Sequence, residues 1–288
     1  MANLKEIRGR ISSISSTMQI TSAMKMVSAA KLKKAQDAIV MLRPYSEKLQ
    51  EIIENVSAAS DADSISEFAI EREVKQVLFI AVTSNRGLAG AFNSSVIKEM
   101  NLQFSANNNV ETEVLTIGKK AFDAMRKNKT VYENHSSLFD NLSFDHVSNM
   151  TEKVMSDFKA GKFDKVYVVY NKFINAATQE VVTEQVLPIA VSAEKASTDV
   201  NVDYIFEPGR EEILKTLIPK SIKTQIFKAV LDSVASEHGA RMTAMHKATD
   251  NAEALRNDLK IFYNKARQAA ITNEILEIVS GAEALKNS

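Results

Sequence analysis

Apolar residues open the chain at alternating three- and four-residue intervals: Leu4, Ile7, Ile11, Ile14 and Met18, then again Leu32, Ala35, Ile39 and Leu42. Such a narrow stripe is the seam of a coiled coil rather than the broad face of a core helix. Between the two runs the same slots hold Thr21, Lys25 and Ser28, while Ile20, Met24 and Val27 stand about one position off. This pattern predicts a slip in the heptad and a local change of supercoil. No Gly or Pro occurs between Arg10 and Arg43; Pro44 is then expected to bend or interrupt the helix, which resumes through Leu49, Ile52, Ile53 and Val56.

The other end of the chain mirrors the first. Lys220 to Ser280 contains Gly239 as its single breaker. Its stripe reads Phe227, Val230, Val234, Met242, Met245, Ala248, Ala252, Leu255, Leu259, Phe262 and Ala266, with a last run of Ile271, Ile275, Ile278, Ala282 and Leu285. Pro219 is expected to kink the start of this helix. Uninterrupted, the two stretches would be roughly 50 Å and roughly 90 Å long at 1.5 Å per residue. Helices of that length must pair with one another, enter a partner, or both. The second arm is the longer, so its C-terminal part is expected to run past the first.

Between the arms the period changes. Val74–Val82, Val110–Ile117, Val166–Tyr170 and Glu180–Leu187 are rich in β-branched and aromatic residues and read as strands. Helical segments are expected around Ser94–Leu102, Lys119–Lys127 and Val147–Phe158. Alternation of this kind indicates a largely parallel sheet. The predicted fold class is α/β: a long antiparallel coiled coil of N- and C-terminal helices plus a central Rossmann-like α/β domain. The predicted boundaries are an N-terminal coiled-coil helix at 1–57, a linker at 58–72, the central domain at 73–208 and a C-terminal coiled-coil helix at 209–288.

Composition narrows the chemistry. Lys and Arg number 36, Asp and Glu also 36, so overall charge gives no pull toward nucleic acid. There is no Cys, which excludes disulfides, thiolate metal sites and cysteine nucleophiles. No stretch approaches the apolar length of a membrane span, and the N-terminus has no signal-peptide pattern. Thr83-Ser84-Asn85-Arg86-Gly87-Leu88-Ala89-Gly90 lies between a strand and a helix, where phosphate cradles occur, yet it matches neither G-x-G-x-x-G nor the P-loop. Its glycines are expected to let strand and helix pack closely. His135, His146, His238 and His246 form no metal-ligand motif, and His238 and His246 are too far apart to share an ion. No catalytic, cofactor or metal site is expected. The first arm is basic, with Lys5, Arg8, Arg10, Lys25, Lys31, Lys33, Lys34 and Arg43 against Glu6 and Asp37. That charge suits a solvated face or an acidic partner. Nucleic acid is not expected as a partner, because the arm lacks stacking aromatics. Methionines at 18, 24, 26, 41, 242 and 245 suit core filling or contact with a surface that changes shape.

Near the C-terminus, Ile271-Thr272-Asn273-Glu274-Ile275-Leu276-Glu277-Ile278-Val279-Ser280-Gly281-Ala282-Glu283-Ala284 resembles the signature of the gamma subunits of F-type ATP synthases. Ala23-Met24-Lys25-Met26-Val27, Arg43-Pro44-Tyr45, Arg86-Gly87-Leu88-Ala89-Gly90 with Asn93, Asn171-Lys172-Phe173-Ile174 and Tyr263-Asn264-Lys265-Ala266-Arg267-Gln268 resemble further segments of that family. The resemblance implies a noncatalytic rotor shaft in a proton-translocating synthase. It would couple rotation of the c-ring to conformational cycling of the catalytic beta subunits. The implied partners are the alpha and beta subunits, the epsilon subunit and the c-ring. Membrane association would come only through the complex, at the cytoplasmic face of the bacterial inner membrane. By motif position, Met24, Lys25, Arg241, Gln268, Thr272 and Glu274 would contact the alpha/beta ring, and Tyr204, Phe206 and Glu207 the c-ring through the foot. The family often has Cys where Ala89 stands, and the thiol switch of the chloroplast branch cannot exist here. The competing expectations are an α/β enzyme that dimerises through helical arms, and a DNA-associated coiled-coil ATPase, which would require a Walker motif that is missing.

Overall fold

The computed structural model describes residues 4–58, 67–189 and 209–286. The chain divides into two compact units, one formed by Met1–Val27 with Met242–Ser288, the other by Ser28–Arg241.

In the Ser28–Arg241 unit, five strands among the described residues form one sheet in the order β3-β2-β1-β4-β5. They are β1 (Gln76–Val82), β2 (Glu111–Ile117), β3 (Thr130–Asn134), β4 (Lys165–Phe173) and β5 (Gln179–Leu187). The first four are mutually parallel and β5 runs antiparallel to β4. Four of the strands lie where the hydrophobic runs place them. β3, an edge strand, was not anticipated. Helices α2 (Phe92–Ala106), α3 (Lys119–Met125) and α4 (Phe144–Lys159) fill the connections.

The period of two along β1 sorts its side chains between two cores. Leu78, Ile80 and Val82 face α4 and the long C-terminal helix α5 (Arg210–Lys286), where Phe158, Leu214, Ile218, Ile222 and Ile226 are buried. Val77, Phe79 and Ala81 face α2 and α3 through Val96, Met100, Phe104, Ala121 and Met125. Stacking of Phe79 on Tyr167, centroids 5.5 Å apart, and its edge contact with Phe104 at 5.6 Å fill the second core.

Helix α1 (Leu4–Ala58) continues through Pro44, and α5 through Pro219. Neither proline ends its helix. Pro219 is flanked by the buried Leu214, Ile218 and Ile222, whose packing outweighs the backbone bond that the ring removes. Pro44 is exposed, and one turn to each side Ile39 and Leu49 are buried.

The heptad does not slip. Ile7, Thr21, Ser28, Leu32, Ala35, Ile39, Leu49 and Ile53 are buried in one unbroken three-and-four frame, and Lys25 is half-buried in its slot. Of Ile20, Met24 and Val27, the residues that suggested a slip, Ile20 and Val27 are exposed and Met24 is half-buried. The polar slots are kept inside because they are satisfied there.

Candidate functional site

In the unit formed by the chain ends, α1 and α5 run antiparallel. The Arg8 guanidinium donates to the Tyr263 hydroxyl at 2.7 Å and lies over the ring. The Thr21 and Thr249 hydroxyls bond at 2.8 Å, and Lys25 Nζ lies 3.3 Å from His246 Nδ1. Residue numbers thus rise on one helix as they fall on the other. On α5 the seam is Met245, Thr249, Ala252, Arg256, Leu259, Tyr263 and Ala266, all buried or half-buried. Leu255 and Phe262, expected on the stripe, are instead half-exposed on the outer side, together with Ile261. The three-and-four frame fixes which positions face inward, whatever residue occupies them.

From Arg267 onward the described side chains of α5 are all exposed, including Ile271, Ile275, Leu276, Ile278, Val279 and Leu285. Isolated apolar residues on a surface need no explanation, but a run of six on one helical segment marks an interaction surface.

The residues singled out from the sequence fall in different settings. Met24 and Lys25 are half-buried on α1. Gln268, Thr272 and Glu274 are exposed on the part of α5 beyond the seam, where the Thr272 hydroxyl donates to the Gln268 carbonyl at 2.9 Å. Tyr204, Phe206 and Glu207 lie outside the described residues. Arg241 belongs to the sheet unit and is only 7 % exposed. It pairs with Glu237 one turn away, and its Nη2 donates to the Arg86 and Gly87 carbonyls at 3.2 and 3.3 Å.

That contact decides what the glycine-containing turn does. In a parallel sheet, ligands bind outside the carboxyl ends of the strands where the strand order reverses, here between β1 and β4. The α5 segment around Ser236–Arg241 occupies this place. Ser236 Oγ donates to the Asn171 carbonyl at 2.9 Å, and Asn171 Nδ2 donates to the Phe92 carbonyl at 3.1 Å. A Cβ on Gly239 would stand 3.2 Å from the Ala176 carbonyl oxygen. The turn presents carbonyl oxygens to a guanidinium, the reverse of a phosphate cradle, which presents N–H groups. Its Ser84 N–H is taken by Asn93 Oδ1 at 2.9 Å. Glu237, Ser236 and Asn171 were not singled out for this role. The Glu237–Arg241 spacing of four was a legible sign of an ion pair, whereas the carbonyl partners, 154 and 155 residues away, were not.

Three of the histidines, His135, His146 and His246, have polar partners, while His238 Nδ1 is buried without one among the described residues. His135 pairs with Glu133, and His146 Nδ1 lies 2.9 Å from the Asn141 carbonyl. His238 is held neutral: burial first, then the nearby Arg241 and Lys31 cations, lower its pKa to about 4.

Comparison with known proteins fits this geometry. The ATP synthase family profile matches residues 3–285. The ATP synthase gamma chain of Flavobacterium psychrophilum is 61 % identical over 287 residues, covering 99 % of this chain and all of that one. Among solved structures, the central stalk and c-ring of the Tetrahymena thermophila mitochondrial ATP synthase contains a chain similar to this one, at 26 % identity and a TM-score of 0.60, over 80 % of this chain and 99 % of that one. A chain of the Euglena gracilis mitochondrial ATP synthase shares the fold at 21 % identity with a TM-score of 0.68, over 98 % of this chain and 94 % of that one. A full-length match of this identity, carried by both helical arms and the sheet between them, places the chain in the ATP synthase gamma chain family.

Proposed function

We propose that this gamma chain is the turning shaft of a proton-translocating F-type synthase, with the part of α5 beyond the seam enclosed by the alpha and beta subunits and the sheet unit serving as the foot on the epsilon subunit and c-ring. That it is a noncatalytic rotor subunit of ATP synthase follows from family membership. The finer reading is carried by one observation: six large apolar side chains stand exposed on α5 beyond the end of the seam. Gln268, Thr272 and Glu274 on that segment, and Met24 and Lys25 on α1, are the proposed ring contacts. Tyr204, Phe206 and Glu207 are the proposed contacts of the foot. The complex would hold the chain peripherally at the cytoplasmic face of the inner membrane.

The mechanism is differential contact. A shaft biases a catalytic site only if it touches that site's conformations unequally, since a contact of equal strength in all of them shifts no population. Shifting a two-state site from 1:99 to 99:1 requires about 5.5 kcal/mol of difference. An asymmetric helix pair presents a different face to each site as it turns, and flexible Met side chains repack as that surface changes. The dimerising-enzyme reading has no comparable support, because α5 fills the crevice where a ligand of the sheet would bind.

Affinity purification of the tagged chain from its native cell tests this reading. Alpha, beta and epsilon subunits should be recovered with it in the stoichiometry of one complex. Recovery without alpha and beta subunits would overturn it.

A further inference from the structure

A guanidinium carries five donors in a planar fork, so one Arg can join an acid on its own helix to carbonyls on another element. Arg241 does this. Nη1 pairs with Glu237, itself mostly buried, and Nη2 bridges the Arg86 and Gly87 carbonyls at 3.2 and 3.3 Å. The turn it grips is strained: Leu88, two-thirds exposed, sits at a φ of 62°, a left-handed conformation that a leucine rarely adopts. With the Leu88 side chain mostly exposed, this conformation is held by the backbone on either side. On the Arg86–Gly87 side Ser84 Oγ donates to the Arg86 carbonyl at 2.6 Å, and Arg241 adds the bond that joins this side, including the Gly87 carbonyl, to α5. On the other, the Ala89 carbonyl accepts from the Phe92 N–H at 3.2 Å as α2 begins.

The same stretch of α5 is fastened at two more points, by Ser236 to the Asn171 carbonyl and by the close approach of Gly239 to Ala176. Two turns of the sheet, after β1 and between β4 and β5, and strand β4 near its end are thereby tied to one and a half turns of helix. Arg241 is the last residue of α5 in this unit and the only charged member of the fastening besides Glu237.

We propose that Arg241 is a positioning residue of the rotor, bolting α5 to the turn after β1 so that helix and sheet move as one body, and that it acts within its own chain rather than on the ring. The proposal rests on the rotor reading, since a joint of this kind matters only to a part that transmits rotation. It predicts that loss of the fork lets the turn loosen from the helix and lets rotation be delivered incompletely.

The test uses assembled ATP synthase carrying Arg241→Gln, Arg241→Lys or Glu237→Gln. Two quantities are read: amide hydrogen exchange over residues 84–91, and the ratio of ATP-driven proton pumping to ATP hydrolysis. For Arg241→Gln, exchange in the turn should rise about tenfold, as for loss of hydrogen bonds to a charged group, and the pumping ratio should fall severalfold. Arg241→Lys keeps the charge without the fork and should lie between Gln and wild type on both readouts. Glu237→Gln should raise exchange by about twofold to threefold, because the carbonyl contacts remain. If Arg241→Gln fails to assemble, the other two variants carry the comparison. Unchanged exchange with lost coupling would show that Arg241 acts on a partner, and faster exchange with intact coupling would reduce it to a structural contact; either overturns the proposal. Wild-type complex that hydrolyses ATP without pumping would instead overturn the rotor reading, leaving the exchange comparison to report on the clamp.

Discussion

A chain ending at Gln268 separates the shaft from the fold that carries it. The deletion removes about 27 Å of α5, counted from residue 268 to 286 at 1.5 Å per residue. It removes no seam residue, because the last of these is Ala266, and it leaves the buried Ile218, Ile222 and Ile226 beneath the sheet untouched. An exposed helical end of this length is marginal by itself and adds little to either unit. Unfolding free energy should therefore change by less than about 1 kcal/mol, which for a unit of this size moves the melting temperature by no more than about 2–4 °C. By contrast, Ile226→Ala, at a fully buried position, should cost about 2–5 kcal/mol.

Assembly should respond in the opposite order. If the six exposed apolar side chains are buried in the complex, each contributes about 1.5–3 kcal/mol gross before the costs of association. Urea unfolding followed by hydrogen exchange in β1 and β4 measures the first effect. Reconstitution with alpha and beta subunits, followed by the rate of ATP hydrolysis and of pumping, measures the second. A truncated chain that loses as much sheet stability as Ile226→Ala, or that assembles and couples like the full chain, would refute the reasoning.

Two other perturbations follow from particular residues. Gly118 has a φ of 111°, and a Cβ there would lie 2.0 Å from the Thr83 carbonyl oxygen, so Gly118→Ala should destabilise the sheet unit by about 3 kcal/mol or more, measured by urea titration. The buried Asp232 and the half-buried His238 should oppose one another in acid. Burial, the largest cause, raises Asp232 from 3.8 to about 6, against Lys228, Arg43 and Lys172 and with help from Glu184. The native state therefore binds the extra proton first, and stability rises as pH falls from about 6 toward 3.8. His238 is lowered from 6.5 to about 4, so the unfolded state binds its proton first and stability falls as pH drops through that window. After discounting for partial exposure, each is worth about 1–2 kcal/mol. Wild-type melting temperature should be nearly flat between pH 6.5 and 4 as far as these two groups go. Asp232→Asn should lose stability toward acid, and His238→Gln should gain it; parallel profiles for both variants would refute the assignment.

Much of the fold was legible because burial and period agree in it. β1, β2 and β4 are β-branched runs buried at more than half of their positions, and β5, mostly half-buried at the other edge, is rich in β-branched residues and ends in the buried Val186 and Leu187, so composition marks all four. β3 escaped notice because it is five residues long, lies at an edge and keeps no side chain fully buried. The arms are legible as helices, but apolar residues do not mark the inside of their frame, because polar pairs fill some of its slots. Thr21 and Thr249 answer one another across the seam, a pairing that neither helix reveals alone. Leu255 and Phe262 look like seam residues only until Arg256 and Tyr263 are seen to hold the slots beside them. Likewise, the Gly-containing turn could be judged a poor phosphate cradle from its spacing, but the reason lies in long-range partners. Arg241 and Ser236 reach the ends of the strands from a helix far along the chain.

These departures share a cause that bears on how the shaft works. An isolated coiled coil puts its apolar residues in the seam and its polar ones outside. In the unit formed by the chain ends, Thr21, Thr249 and Lys25 lie in or beside the seam while Ile20, Met26, Val27, Leu255, Ile261 and Phe262 face outward. Each Leu-sized residue moved from seam to surface removes about 1.5–3 kcal/mol from the pairing and offers it to whatever covers the outer face. The pairing is thus weaker than its length allows, and binding of a partner to the outer face stabilises it by mass action. On the rotor reading, this distribution makes assembly and shaft stability one equilibrium. The sheet unit is built the other way. Its apolar residues are spent on two internal cores, and its ligand crevice is filled by its own helix. A sheet unit built so has little affinity to offer a small molecule, and its packing is spent on holding α5.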